Sequence, residues 1–405
     1  MGKATGVLSK KIKNVGTRGS NMKGGRARGS SALEGRWEKR LAEIDPLVAG
    51  ALDRSLSGKS LSLRETAELL RTEGRELQLL LLAADLVRRG LVGEVATYVV
   101  NRNINHTNIC TGSCRFCAFR RPPSHPEAYS LTPQQLRAKV EEAVRMGATE
   151  ICLQGGLHPD FGLETYLDLL RIIRGVSEEL HIHAFSPAEL DHLSRKEGMS
   201  VDEVLKPLKE AGLNSVPGTA AEILSDRVRE IICPTKIKTK RWVEIVKTCH
   251  RRGIPTTSTM MYGTVETPEE RAGHLLLLRE IQKETGGFTE FVPLPLVPKK
   301  TELYSSGITG PTIRDNLRTH AVARLALAGY INHVQASWVK LGPEGACAML
   351  MAGADDLGGT LFEENITREA GGEWGQGMTP HQLRLLILRA GRIPRQRSTL
   401  YELLD

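Results

Sequence analysis

Within eight residues, Cys110-Thr111-Gly112-Ser113-Cys114-Arg115-Phe116-Cys117, the chain sets three thiols, and its other four cysteines stand singly far downstream. Thiolates at C-x3-C-x2-C spacing can hold three irons of a 4Fe-4S cluster, and no fourth cysteine lies close enough in sequence to complete a set of four. One iron would then be open to bind and reduce a small molecule, whereas four thiolates would close the cluster. Three structural thiols, or a zinc site completed by the nearby His106 or His125, are the alternatives. Zinc knuckles usually bring two close cysteine pairs, and a second pair is lacking here.

The elements that must position these thiols are read from hydrophobic pattern. Short apolar runs at 98–104, 150–153, 181–185, 213–216, 254–260 and 288–292 alternate with amphipathic segments near 132–146, 163–178, 201–211, 239–252 and 268–284. Strand-then-helix units at this spacing imply parallel strands with crossover helices. Two weaker strands, near 332–336 and 354–357, flank a helix expected from about Pro343. They would close the six core strands into a barrel of eight, with chemistry at the C-terminal strand ends. The expected fold is thus an α/β (β/α) barrel over residues 98–358. A helical extension over 32–97 precedes it, and a C-terminal segment, 359–405, packs on it. In the extension, Ser62 and Glu65 form a capping box, and an apolar helix over 77–89 is expected to stop at Gly90.

The formal net charge of +8 is concentrated at one end: residues 1–30 hold eight Lys and Arg and no acid, leaving 47 basic and 47 acidic groups in the remainder. A neutral body without a basic stripe or interleaved aromatics argues against nucleic-acid binding. The tail, 1–31, is rich in Gly, Ser, Lys and Arg and is expected to be disordered. An organellar transit peptide would also be basic and free of acids, but the tail lacks an amphipathic pattern. The longest apolar run is far short of a membrane span, so a cytoplasmic protein without membrane attachment is expected. Cysteines in such a chain read as ligands or buried thiols, and Cys152, Cys233, Cys249 and Cys347 as small hydrophobes.

Applied to the motifs, the barrel rule puts the cysteine run in the loop after the first strand. The second strand ends in Gln154-Gly155-Gly156-Leu157-His158, the third in His183-Ala184-Phe185-Ser186-Pro187-Ala188-Glu189, the fourth in Pro217-Gly218-Thr219-Ala220-Ala221-Glu222 and the fifth in Tyr262-Gly263-Thr264-Val265-Glu266. Paired glycines let backbone approach a ligand closely. Glu189, Glu222, Glu290 and Ser186 would point into the cavity, and each could equally be a structural partner. His158 and His183 could shuttle protons or be satisfied structural histidines.

The C-x3-C-x2-C run, with Phe116 before its last cysteine and Gly155-Gly156 one strand later, resembles the radical S-adenosylmethionine (SAM) superfamily. Asn101–Asn105 and residues 151–159 and 183–187 are similar to FO synthase and to the futalosine-pathway enzymes of menaquinone synthesis. Residues 216–224, 232–237, 286–294, 356–360 and 391–397 resemble more selectively the tyrosine-using subunit of FO synthase, in coenzyme F420 biosynthesis. The likeness runs from about residue 97 to the C-terminus. It departs at Thr264, where the family usually has His.

The resemblance implies a radical SAM TIM-type barrel, one 4Fe-4S cluster on Cys110, Cys114 and Cys117, and SAM as cofactor. Phe116 would pack near the adenine, Gln154, Gly155, Gly156 and Ser186 would bind the cofactor, and Gly263 and Glu266 would lie on its adenosine side. It implies a transferase joining the 4-hydroxybenzyl group of L-tyrosine to C5 of 5-amino-6-(D-ribitylamino)uracil. Its partners would be a reductant such as ferredoxin or flavodoxin and the FO-synthase subunit that closes the deazaflavin ring. A futalosine-type radical cyclase and a non-catalytic iron-sulfur protein are the competing readings. Glu189, Glu222, Glu290 and His158 are the catalytic candidates.

Overall fold

The computed structural model describes residues 37–404, so the basic tail at 1–31 lies outside the described residues. The first barrel strand is long and changes partner midway, which divides it at Val100 into β1 (Val95–Val99) and β2 (Asn101–Asn105). It is followed by β3 (Glu150–Gln154), β4 (His181–Ala184), β5 (Thr256–Tyr262), β6 (Phe288–Pro295) and β7 (Asp356–Gly359). β2, β3 and β4 pair in parallel, as do β5 and β6. Single parallel bridges, His183 to Ser215, Val216 to Thr256, Phe291 to Val334 and Gln335 to Asp356, carry the ladder through two short extended segments at 215–216 and 334–335. β7 returns to pair with β1 and closes eight parallel positions into a barrel.

Helices over Pro133–Arg145, Leu163–Arg174, Thr239–Arg251 and Pro268–Thr285 form part of the outer ring and match the amphipathic segments closely. Two others had no strong periodic pattern: Pro187–Glu197, and Ile313–Leu327, buried along its last ten residues. Their faces are covered on several sides, which erases the polar stripe that periodicity detects.

Two boundaries differ from expectation. The helix expected to end at Gly90 spans Gly74–Val92 and stops at Gly93, whose φ of 72° no longer continues the helix. An interior glycine costs about 1 kcal/mol, which the burial of Leu77, Leu79, Leu80, Ala83 and Ala84 outweighs. The barrel begins at Val95, inside the span assigned to the helical extension, because β1 needs those residues to meet β8 (Ile393–Gln396). The helix expected from about Pro343 is present: Gly342 (φ 76°) breaks the backbone between a short turn begun at Trp338 and the helix that runs from Pro343 to Met351. The Ser62–Glu65 capping box is present as expected.

β8 adds in parallel to the free side of β1, and beyond it residues 397–403 cross under the N-terminal ends of the barrel strands. Contacts at those ends define the crossing. The Arg397 Nε donates to Asp356 Oδ2 at 2.5 Å and Nη2 to Oδ1 at 3.1 Å, Thr399 Oγ1 donates to Glu150 at 2.7 Å, and the Tyr401 hydroxyl donates to Glu290. The C-terminal segment is therefore the floor of the barrel. Among the described residues, no helix is long and apolar enough to cross a membrane.

Candidate active site

The cysteine loop leaves β2 at the C-terminal end of the barrel and is pinned on three sides. Cys110 N–H donates to Arg121 O at 3.0 Å, Thr111 N–H to Leu157 O at 3.0 Å, and Arg115 N–H to Ile232 O at 2.9 Å. Ser113 N–H donates to Thr235 Oγ1 at 2.9 Å. All three thiols line one cavity of about 420 Å³ that runs from this loop down to Arg397 and Thr399. A second hollow, of about 360 Å³ beside Arg121 and Glu369, holds none of them.

The site fits a cluster better than a single ion. His106 and His125, the residues that would complete a zinc site, do not line the cavity that holds the three thiols. The three thiols instead spread along one loop and all reach the same wall. Burial pushes the Cys114 thiol up to about 11, with Lys236 pulling the other way. Coordination would supply the missing driving force for losing that proton. Cys233 is buried next to Cys114's surroundings but does not line the cavity.

The paired glycines after β3 are dictated by space. A Cβ on Gly156 would lie 2.2 Å from Ile109 O and 2.8 Å from Cys110 Cβ, and one on Gly155 would lie 2.4 Å from the His106 ring. Gly156→Ala is accordingly expected to push the cysteine loop out of register and to lower turnover about 100-fold, the cost of an ångström-scale misplacement. Iron content and steady-state rate of the reconstituted variant check this; wild-type values of both would show that the loop tolerates the methyl group.

Ser186 and Glu189 begin the helix after β4 as an incomplete capping box. Ser186 Oγ accepts from Glu189 N–H at 3.2 Å, but the Glu189 carboxylate turns away and accepts from Gly155 N–H at 3.1 Å. Burial pushes Glu189 up to about 8, so near neutral pH it can donate as well as accept. Gln154 donates to Thr219 Oγ1 at 2.9 Å. Glu222 receives Lys236 Nζ at 2.6 Å and has Arg229 at 3.5 Å. Arg229 also donates to Ala220 O at 3.0 Å and Ala221 O, bracing a turn in which Ala220 (φ 61°) and Glu222 (φ 42°) are left-handed. Non-glycine residues in that region cost energy and cluster at functional sites. Phe116 lines the same upper chamber, 5.4 Å below Lys236 Nζ.

Toward the floor the wall carries Asn101, Asn103, Thr257, Thr259 and Gln335, together with Glu150 and Arg397. His183 also lines the cavity; its Nδ1 is 2.6 Å from Ser215 Oγ and burial lowers its pKa to about 4. Glu290, pushed up to about 7 by burial, sits at the floor against Tyr401. Cys152, read as a buried hydrophobe, faces the cavity from β3.

Three candidates lie away from the lining. His158 stacks on Phe161 at 4.0 Å and accepts from Asp160 N–H. Glu266 is committed to its own loop: it accepts from Gly263 N–H at 2.6 Å, Thr264 N–H at 2.9 Å and Thr264 Oγ1 at 2.5 Å, and pairs with Arg271 at 2.7 Å. Gly263 is packed on Pro311. Thr264, the departure from the family's His, thus serves as a clasp for Glu266.

Sequence reading assigned no role to Lys236, Lys340, Arg397 or Thr399. Lys236 and Arg397 stand in motifs that carried the resemblance, which was the available signal; Lys340 and Thr399 gave none.

Comparison with known proteins agrees with this geometry. Residues 104–278 match the model of the Radical SAM superfamily, and 285–405 that of the CofH/MqnC C-terminal region. The chain is 54% identical over 324 residues, 80% of its length and 92% of the relative's, to the 5-amino-6-(D-ribitylamino)uracil–L-tyrosine 4-hydroxyphenyl transferase of Archaeoglobus fulgidus. Identity to the protein of the same name from Methanothermobacter thermautotrophicus is 48% over 341 residues, covering 83% and 92%. The FO synthase of Mycobacterium leprae is 47% identical over 366 residues, and the match spans 90% of this chain but 41% of that longer protein. The fold is similar to that of the [FeFe]-hydrogenase maturase HydG, with TM-score 0.69, 16% identity and coverage of 90% and 79%. Methylornithine synthase PylB gives TM-score 0.67 at 18% identity, covering 85% and 97%.

Proposed function

The chain belongs to the radical SAM superfamily and, within it, to the family of 5-amino-6-(D-ribitylamino)uracil–L-tyrosine 4-hydroxyphenyl transferases, and from that membership we propose that it carries out this transfer. The observation that carries the proposal is the single cavity whose wall holds the three thiols and, toward its floor, amides and hydroxyls interspersed with a few charged groups. Cys110, Cys114 and Cys117 would hold the 4Fe-4S cluster, with Gln154, Gly155, Gly156, Ser186 and Phe116 beside the SAM it binds. The loaded cluster and SAM supply a hydrogen-atom abstractor once one electron is delivered, by a donor such as ferredoxin or flavodoxin.

The chain's own residues then have three tasks. The barrel wall keeps water from a reactive centre, as the closed ladder and the C-terminal floor allow. The Asn103 and Gln335 amides suit the ribityl chain, which needs many hydrogen bonds, and the Thr257 and Thr259 hydroxyls, each bonded once to Gly218, keep capacity for one more; the Asn101 amide is held by Glu150 and Leu361 N–H. Glu189, protonated near neutrality and held by Gly155 N–H, can give or take a proton at the boundary between the chambers. Glu222 is occupied by Lys236 and Arg229. The product would pass to the subunit that closes the deazaflavin ring.

An omission series tests this. Reconstituted anaerobically with reductant, SAM, tyrosine and the diaminouracil, the enzyme is expected to yield 5'-deoxyadenosine and the coupled adduct by mass spectrometry. Leaving out the diaminouracil should abolish the adduct. An adduct that never forms, with turnover of a futalosine-type nucleoside instead, would transfer the chain to the cyclase reading.

A further inference from the structure

We propose that Ser337 and Lys340 form the subsite for the α-carboxylate of the amino-acid substrate, an inference that rests on the transferase reading above. Both follow the seventh strand position at 334–335 and reach the cavity from its C-terminal end. Ser337 stands at the head of the helix Trp338–Met351 without capping it, and its hydroxyl makes no hydrogen bond to any described residue although Ser337 is only 6% exposed. Lys340 N–H donates to Ser337 O at 3.1 Å, so the two side chains are carried on one turn. That turn is fixed from both sides: Trp338 Nε1 donates to Gly359 O at 2.9 Å, and Trp374 packs so closely on Gly342 that a Cβ there would lie 2.7 Å from its ring.

Lys340, half-buried, lines the cavity, and its ammonium has no carboxylate within ion-pair distance among the described residues. Its acidic neighbour, Glu364, spends both oxygens on Thr367 N–H, each at 3.0 Å. Two further cations on the cavity wall are matched: Lys236 with Glu222, and Arg397 with Asp356. A desolvated ammonium without a counterion is costly, and a hydroxyl one turn away adds a second donor. Two donors of this kind suit a carboxylate. Of the two substrates, the diaminouracil carries no carboxylate and the amino acid does. Arg120 also lines the cavity without an ion-pair partner, but three residues past Cys117, on the cofactor side.

Calorimetry of reconstituted enzyme with SAM and no reductant, so that nothing turns over, tests the subsite with L-tyrosine and with tyramine, which lacks the carboxylate. Lys340→Met is expected to weaken L-tyrosine about 10–100-fold, the range for a hydrogen bond to a charged group, and to leave tyramine binding unchanged. Lys340→Arg should retain most of the affinity and Ser337→Ala lose about 5–10-fold. Equal weakening of both ligands, unaltered L-tyrosine affinity, or a loss seen in Arg120→Met in place of Lys340→Met would overturn the assignment. Wild-type enzyme that binds no tyrosine overturns the transferase reading as well, whereas tyrosine-binding wild type with an unaffected Lys340→Met overturns the subsite alone.

Discussion

Replacing Cys110, Cys114 or Cys117 by Ala is expected to leave a folded protein that holds no intact 4Fe-4S cluster and forms no 5'-deoxyadenosine above background. The fold should survive because the three residues sit on a half-buried loop whose hold on the body runs through backbone groups: Cys110 N–H to Arg121 O, Thr111 N–H to Leu157 O and Arg115 N–H to Ile232 O. The cluster should not, because each variant removes one of its three thiolate ligands, and Cys152, a fourth cysteine on the cavity wall, stands on β3 outside the loop. Cys233, the neighbour nearest in character, is buried behind the loop. Visible absorption and iron content read the first effect and deoxyadenosine yield the second. Retained cluster and cleavage in any of the three variants would contradict the assignment.

The second large effect is on stability. Arg397 makes a two-point ion pair with Asp356, approaches Glu290 at 3.5 Å and stacks over Tyr401 at 4.1 Å, and its side chain is almost fully buried. Arg397→Met leaves Asp356 and Glu290 without their cation at the floor, and breaking one side of such a pair costs about 3–5 kcal/mol. Tyr401→Phe removes one hydrogen bond to Glu290, which is expected to cost about 1–3 kcal/mol. Denaturant midpoints for wild type and the two variants check the order. A midpoint for Arg397→Met equal to wild type would mean that the C-terminal segment is not the floor that closes the barrel.

What the sequence made legible follows a physical division. Most strands were visible as short runs with apolar residues buried on both faces, though β2 and β4 are at least half polar, and even the two weakest, at 332–336 and 354–357, fell on real barrel positions. The thiols were visible because cluster chemistry demands close spacing in one loop. The long-range parts were hidden. Nothing local tells that Glu150, in β3, meets Thr399, or that Glu290 meets Tyr401, since those contacts exist only once the C-terminus passes beneath the barrel. Glu266 showed the converse difficulty: a carboxylate at a strand end reads as a ligand until its partners, Gly263, Thr264 and Arg271, are seen to use it fully. Lys340 escaped for another reason. A lysine in a helix is ordinarily a solvated one, and only the cavity and the absence of a paired carboxylate among the described residues set it apart.

The central claim is that one cavity couples radical generation at the cysteine loop to tyrosine cleavage and transfer in the barrel. Ring-labelled tyrosine in a single turnover tests it most directly. The claim predicts that the label appears in the uracil adduct, with glyoxylate recovered from the remainder and both in step with 5'-deoxyadenosine. Deoxyadenosine formed in the same yield without tyrosine, or an adduct free of label, would contradict it.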